Sequence, residues 1–245
     1  MAGDAAGWVG VDRGLAALVV AATADGEEAL RVERAPRSKR SAAARTRRLA
    51  RSLARKQKGS RNRRRAAARL ARHHAHLRGR RRHLLHQVSA RLVKTHDRLV
   101  LENLHVAGML ANHRLAAAIS DAAWVELARQ IGYKQTWRGG QVLLADRWFA
   151  SSKTCSGCGH RKETLSLKER TYRCAACGLI IDRDLNAAAN LATWATRHTA
   201  QEAGDRQADG PVTNAHRRDG SGPRTSADET SPDDVGTETQ TGHPA

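Results

Sequence analysis

The sequence predicts an α/β protein, on three observations. Short apolar runs of strand character open the chain and later alternate with segments of helical periodicity. One stretch, residues 37–96, holds 22 Lys+Arg and no Asp or Glu, with leucines recurring at helical spacing. Four cysteines stand in two Cys-x-x-Cys pairs fifteen residues apart. The rest of the 245-residue chain carries 21 basic against 24 acidic residues, so this one stretch accounts for the net charge of +19. Such a charge calls for a polyanionic partner. Only 3% of residues are Phe, Trp or Tyr, which excludes a ring-rich binding sheet. The longest apolar run, residues 15–24, is too short to span a bilayer, and no leader pattern opens the chain. A soluble, cytoplasmic protein is expected.

The elements follow in order. Trp8 to Thr23 reads as strand, turn and strand, and Ala29 to Glu33 as a third strand after Asp25-Gly26. The basic stretch reads as a helical pair. Leu49 and Leu53 form one stripe, Leu70, Leu77, Leu84, Val88 and Leu92 the other, with breaks at Gly59-Ser60 and Gly79. Its histidines (His73, His74, His76, His83, His86) are read as polar-face residues. Residues 98–104 form a buried-type strand, 115–132 a helix stopped by Gly132, 141–146 a strand and 185–194 an alanine-rich helix. Trp124, Tyr133, Trp137 and Trp148 are read as packing residues, and Lys153 with Ser151-Ser152 as polar loop residues within reach of a phosphate. From Thr199 onward the chain holds four of its five prolines and nine acids but few large aliphatics, and is expected to be disordered.

Cys155, Cys158, Cys174 and Cys177 match the spacing of a tetrahedral Zn²⁺ ribbon, with glycines beside each knuckle and a hairpin over Thr164 to Arg173. Two disulfides or an iron–sulfur cluster are the alternatives. Four thiolates leave no open position, so the metal would be structural.

Three acids stand where strands or helices begin or end. Asp12 closes the apolar Val9-Gly10-Val11 run, Glu102 closes the 98–102 run, and Asp184 opens the last helix. Each alone reads as a turn former, a solvent-facing acid or a helix cap. Together, in a basic protein, they suggest carboxylate ligands for Mg²⁺ that hydrolyse a phosphodiester. Asp182 and Arg183 are second-choice site residues.

The ordered phrases Val-Gly-Val-Asp12-Arg-Gly, Leu-Glu102-Asn-Leu, Ser-Ser-Lys-Thr-Cys155-Ser-Gly-Cys158-Gly, Cys174-Ala-Ala-Cys177-Gly and Asp182-Arg-Asp184-Leu-Asn-Ala-Ala resemble the TnpB (OrfB) family of insertion-sequence proteins, relatives of type V CRISPR nucleases. The resemblance runs from about Val9 to Leu191. It implies an RNase H-like (RuvC) core with long basic helices and an inserted zinc ribbon. Residues 1–36, 98–150 and 183–198 would form the core, 37–97 the basic helices, 151–182 the ribbon and 199–245 the tail. It also implies Asp12, Glu102 and Asp184 as catalytic, magnesium-binding acids, and DNA and a guide RNA as partners. The family's region ahead of the first acid is not in this chain, so an N-terminally truncated member is expected. The alternative function is a remnant that binds nucleic acid without cutting it.

Overall fold

The computed structural model describes residues 7–33, 36–166 and 169–208. A five-stranded sheet organises the molecule: β1 (Val9–Asp12), β2 (Ala17–Thr23), β3 (Glu28–Glu33), β4 (Arg98–Glu102) and β5 (Gln141–Ala145), in the order β3-β2-β1-β4-β5. Tight turns allow β1, β2 and β3 to pair antiparallel, the second turn using Gly26 at φ 85°. β1–β4 and β4–β5 are parallel, so long crossovers must connect them. Alternation along the strands divides the core. Val9, Val11, Leu99 and Leu101 join one apolar cluster, whereas Trp8, Val100 and Ala145 join another on the opposite face.

The first crossover is the basic segment, folded as α1 (Pro36–Ala54) and α2 (Arg61–Thr95). The break falls where glycine and an N-cap coincide. Gly59 sits at φ 82°, and the Ser60 hydroxyl accepts from the Arg63 amide at 3.1 Å. Gly79, expected to interrupt the helix, lies within it. A lone helical glycine costs about 1 kcal/mol relative to alanine, too little to end a helix anchored elsewhere by packing. That anchor is the last third of α2, where Leu85, Val88, Leu92 and Val93 enter the main cluster. The earlier turns pack on α1. There His73 departs from its expected polar face, for it is buried and its Nε2 lies 3.0 Å from the Thr46 hydroxyl.

The second crossover corrects another expectation. The single helix over 115–132 is instead α4 (His113–Ala122) and α5 (Trp124–Trp137), after a short α3 (Val106–Leu110). Ala123 between them adopts the left-handed conformation at φ 51°. This strained kink lets both Ala122 and Trp124 turn into the core. Gly132 is interior to α5, which ends before Gly139 at φ 74°. Of the rings read as packing residues, Trp124 is 2% exposed but Trp137 and Trp148 are 79% and 84% exposed.

On the other face of the sheet lies α6 (Arg183–Ala208). It approaches unusually closely because its inner side is alanine (Ala188, Ala192, Ala195) and β1 offers Gly10. The helix also runs past the tail boundary expected at Thr199, since residues 199–208 prolong it. Residues 209–245 of the expected tail lie outside the described residues. In the cysteine region, β6 (Thr171–Arg173) and β7 (Ile180–Asp182) pair around the second knuckle, while a single bridge, Thr154 to Arg161, brackets the first. The hairpin is thus displaced from the expected 164–173. Among the described residues no helix is long and apolar enough to cross a membrane.

Candidate catalytic and metal-binding sites

Val11 pairs in parallel register with Leu101, so the next residues, Asp12 and Glu102, emerge side by side from the same ends of β1 and β4. Asp184 reaches them from the first turn of α6, one turn before the Ala188 that lies against β1. A methyl built on Gly14 would stand 3.8 Å from an oxygen of both Asp12 and Asp184. The structure therefore brings the three acids together. Asp12 keeps a little solvent contact, and Asp184 is only 7% exposed. Burial, then the charges of Glu102 and Asp184, push the Asp12 carboxyl well above the ordinary range, and Arg183 and Arg13 offset them only in part.

Neighbouring side chains hold this arrangement. Arg13, 6% exposed, donates to the backbone oxygens of Glu102 and of Trp124, the latter at 3.0 Å, joining the end of β4 to the start of α5. The Ser151 hydroxyl donates to Glu102 Oε1, so this polar loop residue is engaged by a carboxylate. Arg183 pairs with Asp184 Oδ1 at 3.1 Å. Asp182 takes the capping role: its Oδ1 accepts from the Asp184 and Leu185 amides at 3.1 and 2.9 Å and from Arg31 at 3.0 Å. The contributions of Arg13, Arg31 and Ser151 are absent from the sequence reading, since no local spacing marks them.

A divalent cation fits the three carboxylates, which offer hard oxygen donors and an excess of negative charge already felt at Asp12. They are more loosely set than the cysteines. Among the described residues, the four sulfurs alone form a group of three or more such ligand atoms within 4.8 Å of one another. Cys155 and Cys177 approach to 3.6 Å, as do Cys158 and Cys174. A tetrahedron with Zn–S bonds of about 2.3 Å has S···S edges of about 3.8 Å. All four cysteines are free, so disulfides are not formed. Backbone amides of Cys177 and Ala176 turn toward Cys174 and lower its thiol to about 6, despite burial. Tyr172, fully buried, packs with Leu179 and Ile181 beneath the sulfurs.

The ribbon is fastened to the helix that bears Asp184. Asn186 and Asn190, one turn apart on α6, both donate to the Thr154 carbonyl, at 2.7 and 2.6 Å. Asn190 also donates to the Ser151 carbonyl at 2.8 Å, and Asn186 Oδ1 accepts from the Ser156 amide at 2.9 Å. A polar i, i+4 pair inside an alanine-rich helix was the available signal for this clamp. At the end of α1 and just past it, Arg47, Arg48, Arg51, Arg55 and Lys56 line a basic hollow of about 610 Å³.

Comparison with known proteins finds matches over most of the chain. A family model for OrfB proteins, described as "Probable transposase", matches residues 5–113, and one described as "Cas12f1-like, TNB domain" matches residues 124–191. A protein of Streptomyces pristinaespiralis named "Putative RNA-guided DNA endonuclease" is 43% identical over 183 residues, covering 75% of this chain and 44% of that protein. A Mycobacterium tuberculosis protein of the same designation is 36% identical over 192 residues, covering 76% of this chain and 41% of its own length. The chain thus spans less than half the length of these relatives. The cryo-EM structure of a Cas12f1–sgRNA–target DNA complex superposes with a TM-score of 0.57 at 17% identity, over 78% of this chain and 51% of that one, a likeness of fold.

Proposed function

We propose that this chain, which belongs to the TnpB (OrfB) family of insertion-sequence proteins, is the core of a divalent-metal-dependent DNA endonuclease. The convergence of Asp12, Glu102 and Asp184 from three distant segments carries the reading. The sheet order, with two acids on neighbouring parallel strand ends and the third on the helix crossing them, supports an RNase H-like (RuvC) core. Among the described residues, those within 1–36, 98–150 and 183–198 would make up that core, with α6 prolonging it, and those within 37–97 and 151–182 would be insertions.

The three carboxylates would hold Mg²⁺. A cation held there would supply polarisation of a scissile phosphate and a more acidic bound water. The chain's own residues prepare the site. Arg13 fixes the end of β4, Ser151 orients Glu102, and Arg183 tempers the charge on Asp184. Water is the proposed nucleophile, with Asp12, Glu102 and Asp184 acting as metal ligands and no covalent intermediate formed. The four cysteines hold a structural Zn²⁺ with no open position. The acid-free surfaces of α1 and α2 bind nucleic acid phosphates, a guide RNA among them, in keeping with the designation of the relatives.

The test is cleavage of a matching DNA by the purified protein with its guide RNA and Mg²⁺. Cutting is expected from the unmodified chain and lost in Asp12→Ala and Glu102→Ala, both still binding nucleic acid. An unmodified chain that leaves DNA intact, or an Asp12→Ala variant that cuts it, overturns the proposal.

A further inference from the structure

Between the first zinc knuckle and α6 runs a groove of about 500 Å³, walled by residues 154–159 and floored by Asn190, Trp194, His198 and Gln201. Spacings of four, four and three place these four side chains along one face of the helix. Trp194 and His198 stack with centroids 4.7 Å apart and planes 17° from parallel, and Phe149 leans on Trp194 at 6.1 Å. Arg197 also lines the groove, and His198 Nε2 lies 3.2 Å from the Glu202 carboxylate, which holds the ring in place. Phe149 and Trp194 rest on the second apolar cluster by one side, and both Trp194 and His198 stay only partly buried where they line the groove.

We infer that this groove receives one unstacked nucleobase of single-stranded DNA, held against the Trp194–His198 rings. A nucleobase is flat, aromatic and polar at its edge. The rings supply the stacking face, Gln201 and Thr193 supply edge partners, and Arg197 meets the adjoining phosphate. The volume lies within the range of small-ligand sites. Position ties the groove to the acids. The loop walling it includes Ser151 and Thr154, which Asn190 holds, and Ser151 bonds Glu102 on the far side. A base seated in the groove therefore steers its own strand past the carboxylates. This rests on the reading of the chain as a DNA-cutting core and names the subsite that presents a single strand to it.

Binding of fluorescent oligonucleotides by the zinc-loaded protein, with no magnesium added, tests the inference independently of cutting. Trp194→Ala should bind single-stranded DNA about tenfold more weakly, the scale of one lost base–aromatic stack. Its affinity for duplex DNA and its salt dependence should be unchanged, and Trp194→Phe should retain most of the binding. On the unmodified protein, an abasic oligonucleotide of the same length should bind as weakly as the ordinary one binds Trp194→Ala. Equal binding of abasic and ordinary strands, or an equal loss on duplex and single strand, overturns the proposal. Intact base discrimination in a protein that fails to cut would leave this subsite standing and the nuclease reading rejected.

Discussion

A methyl added at Gly10 would lie 1.9 Å from the Ala188 carbonyl and 2.8 Å from the Ala192 amide, both backbone atoms of α6. Neither can swing aside, so the helix itself must move, and Asp184 moves with it. Gly10→Ala should cost about 3 kcal/mol, the upper end for overpacking, and lower the thermal midpoint by roughly 10 °C. A circular-dichroism melt matching the unmodified protein would show that α6 does not rest on β1 as described. A second residue makes a pH-dependent contribution. Hydrogen bonds from Arg129, then from Gln130, hold the Glu126 carboxyl down at about 2. A depressed carboxylate stabilises the fold above its ordinary pKa and ceases to do so as pH falls through the folded value. Glu126→Gln should therefore lose stability at neutral pH but converge with the unmodified protein between pH 4.5 and about 2, as acid titration of the melting midpoint would record. The effect should be small, because the Glu126 side chain is 36% exposed and solvent screens it.

Among the elements, the asparagine clamp makes the ribbon and α6 one unit. Cys155→Ser should lose the bound zinc and the hydrogen-exchange protection of residues 154–159, while β1, β4 and the last third of α2 keep theirs. Protection retained at the knuckle without zinc would mean that Asn186 and Asn190 suffice to order it. The cysteines were legible because four thiolates in two Cys-x-x-Cys pairs have few other uses, and Asp12 because an acid in an apolar strand demands a partner. Arg13 and Ser151 were not, since each acts on a backbone carbonyl or carboxylate far away in the chain, and the spacing of Asn186 and Asn190 marks a shared face without naming its partner. The division of α4 from α5 was hidden for a related reason. Ala123 carries no local signal for a left-handed kink, and only burial of the flanking Ala122 and Trp124 requires one.

For the whole molecule, the charge count alone pointed to the surface proposed for a polyanion, since the excess sits in one continuous stretch of sequence that folds as one pair of helices. Replacing Arg47, Arg48, Arg51 and Arg55 by alanine should flatten the dependence of log K on log salt by about 3, at about 0.7–0.9 per phosphate contact. The melting of the core should hardly change, because these residues lie on α1 and at the turn that follows it, away from the main apolar cluster. An unaltered slope would place the phosphates elsewhere. The uninterrupted course of α2 has a mechanical consequence. One end is gripped by the core through Leu85, Val88, Leu92 and Val93, while the other carries arginines beyond it. With no hinge at Gly79, the helix is a spacer of fixed length, about 1.5 Å per residue. Excising one turn would draw whatever the arm holds about 5 Å nearer the sheet.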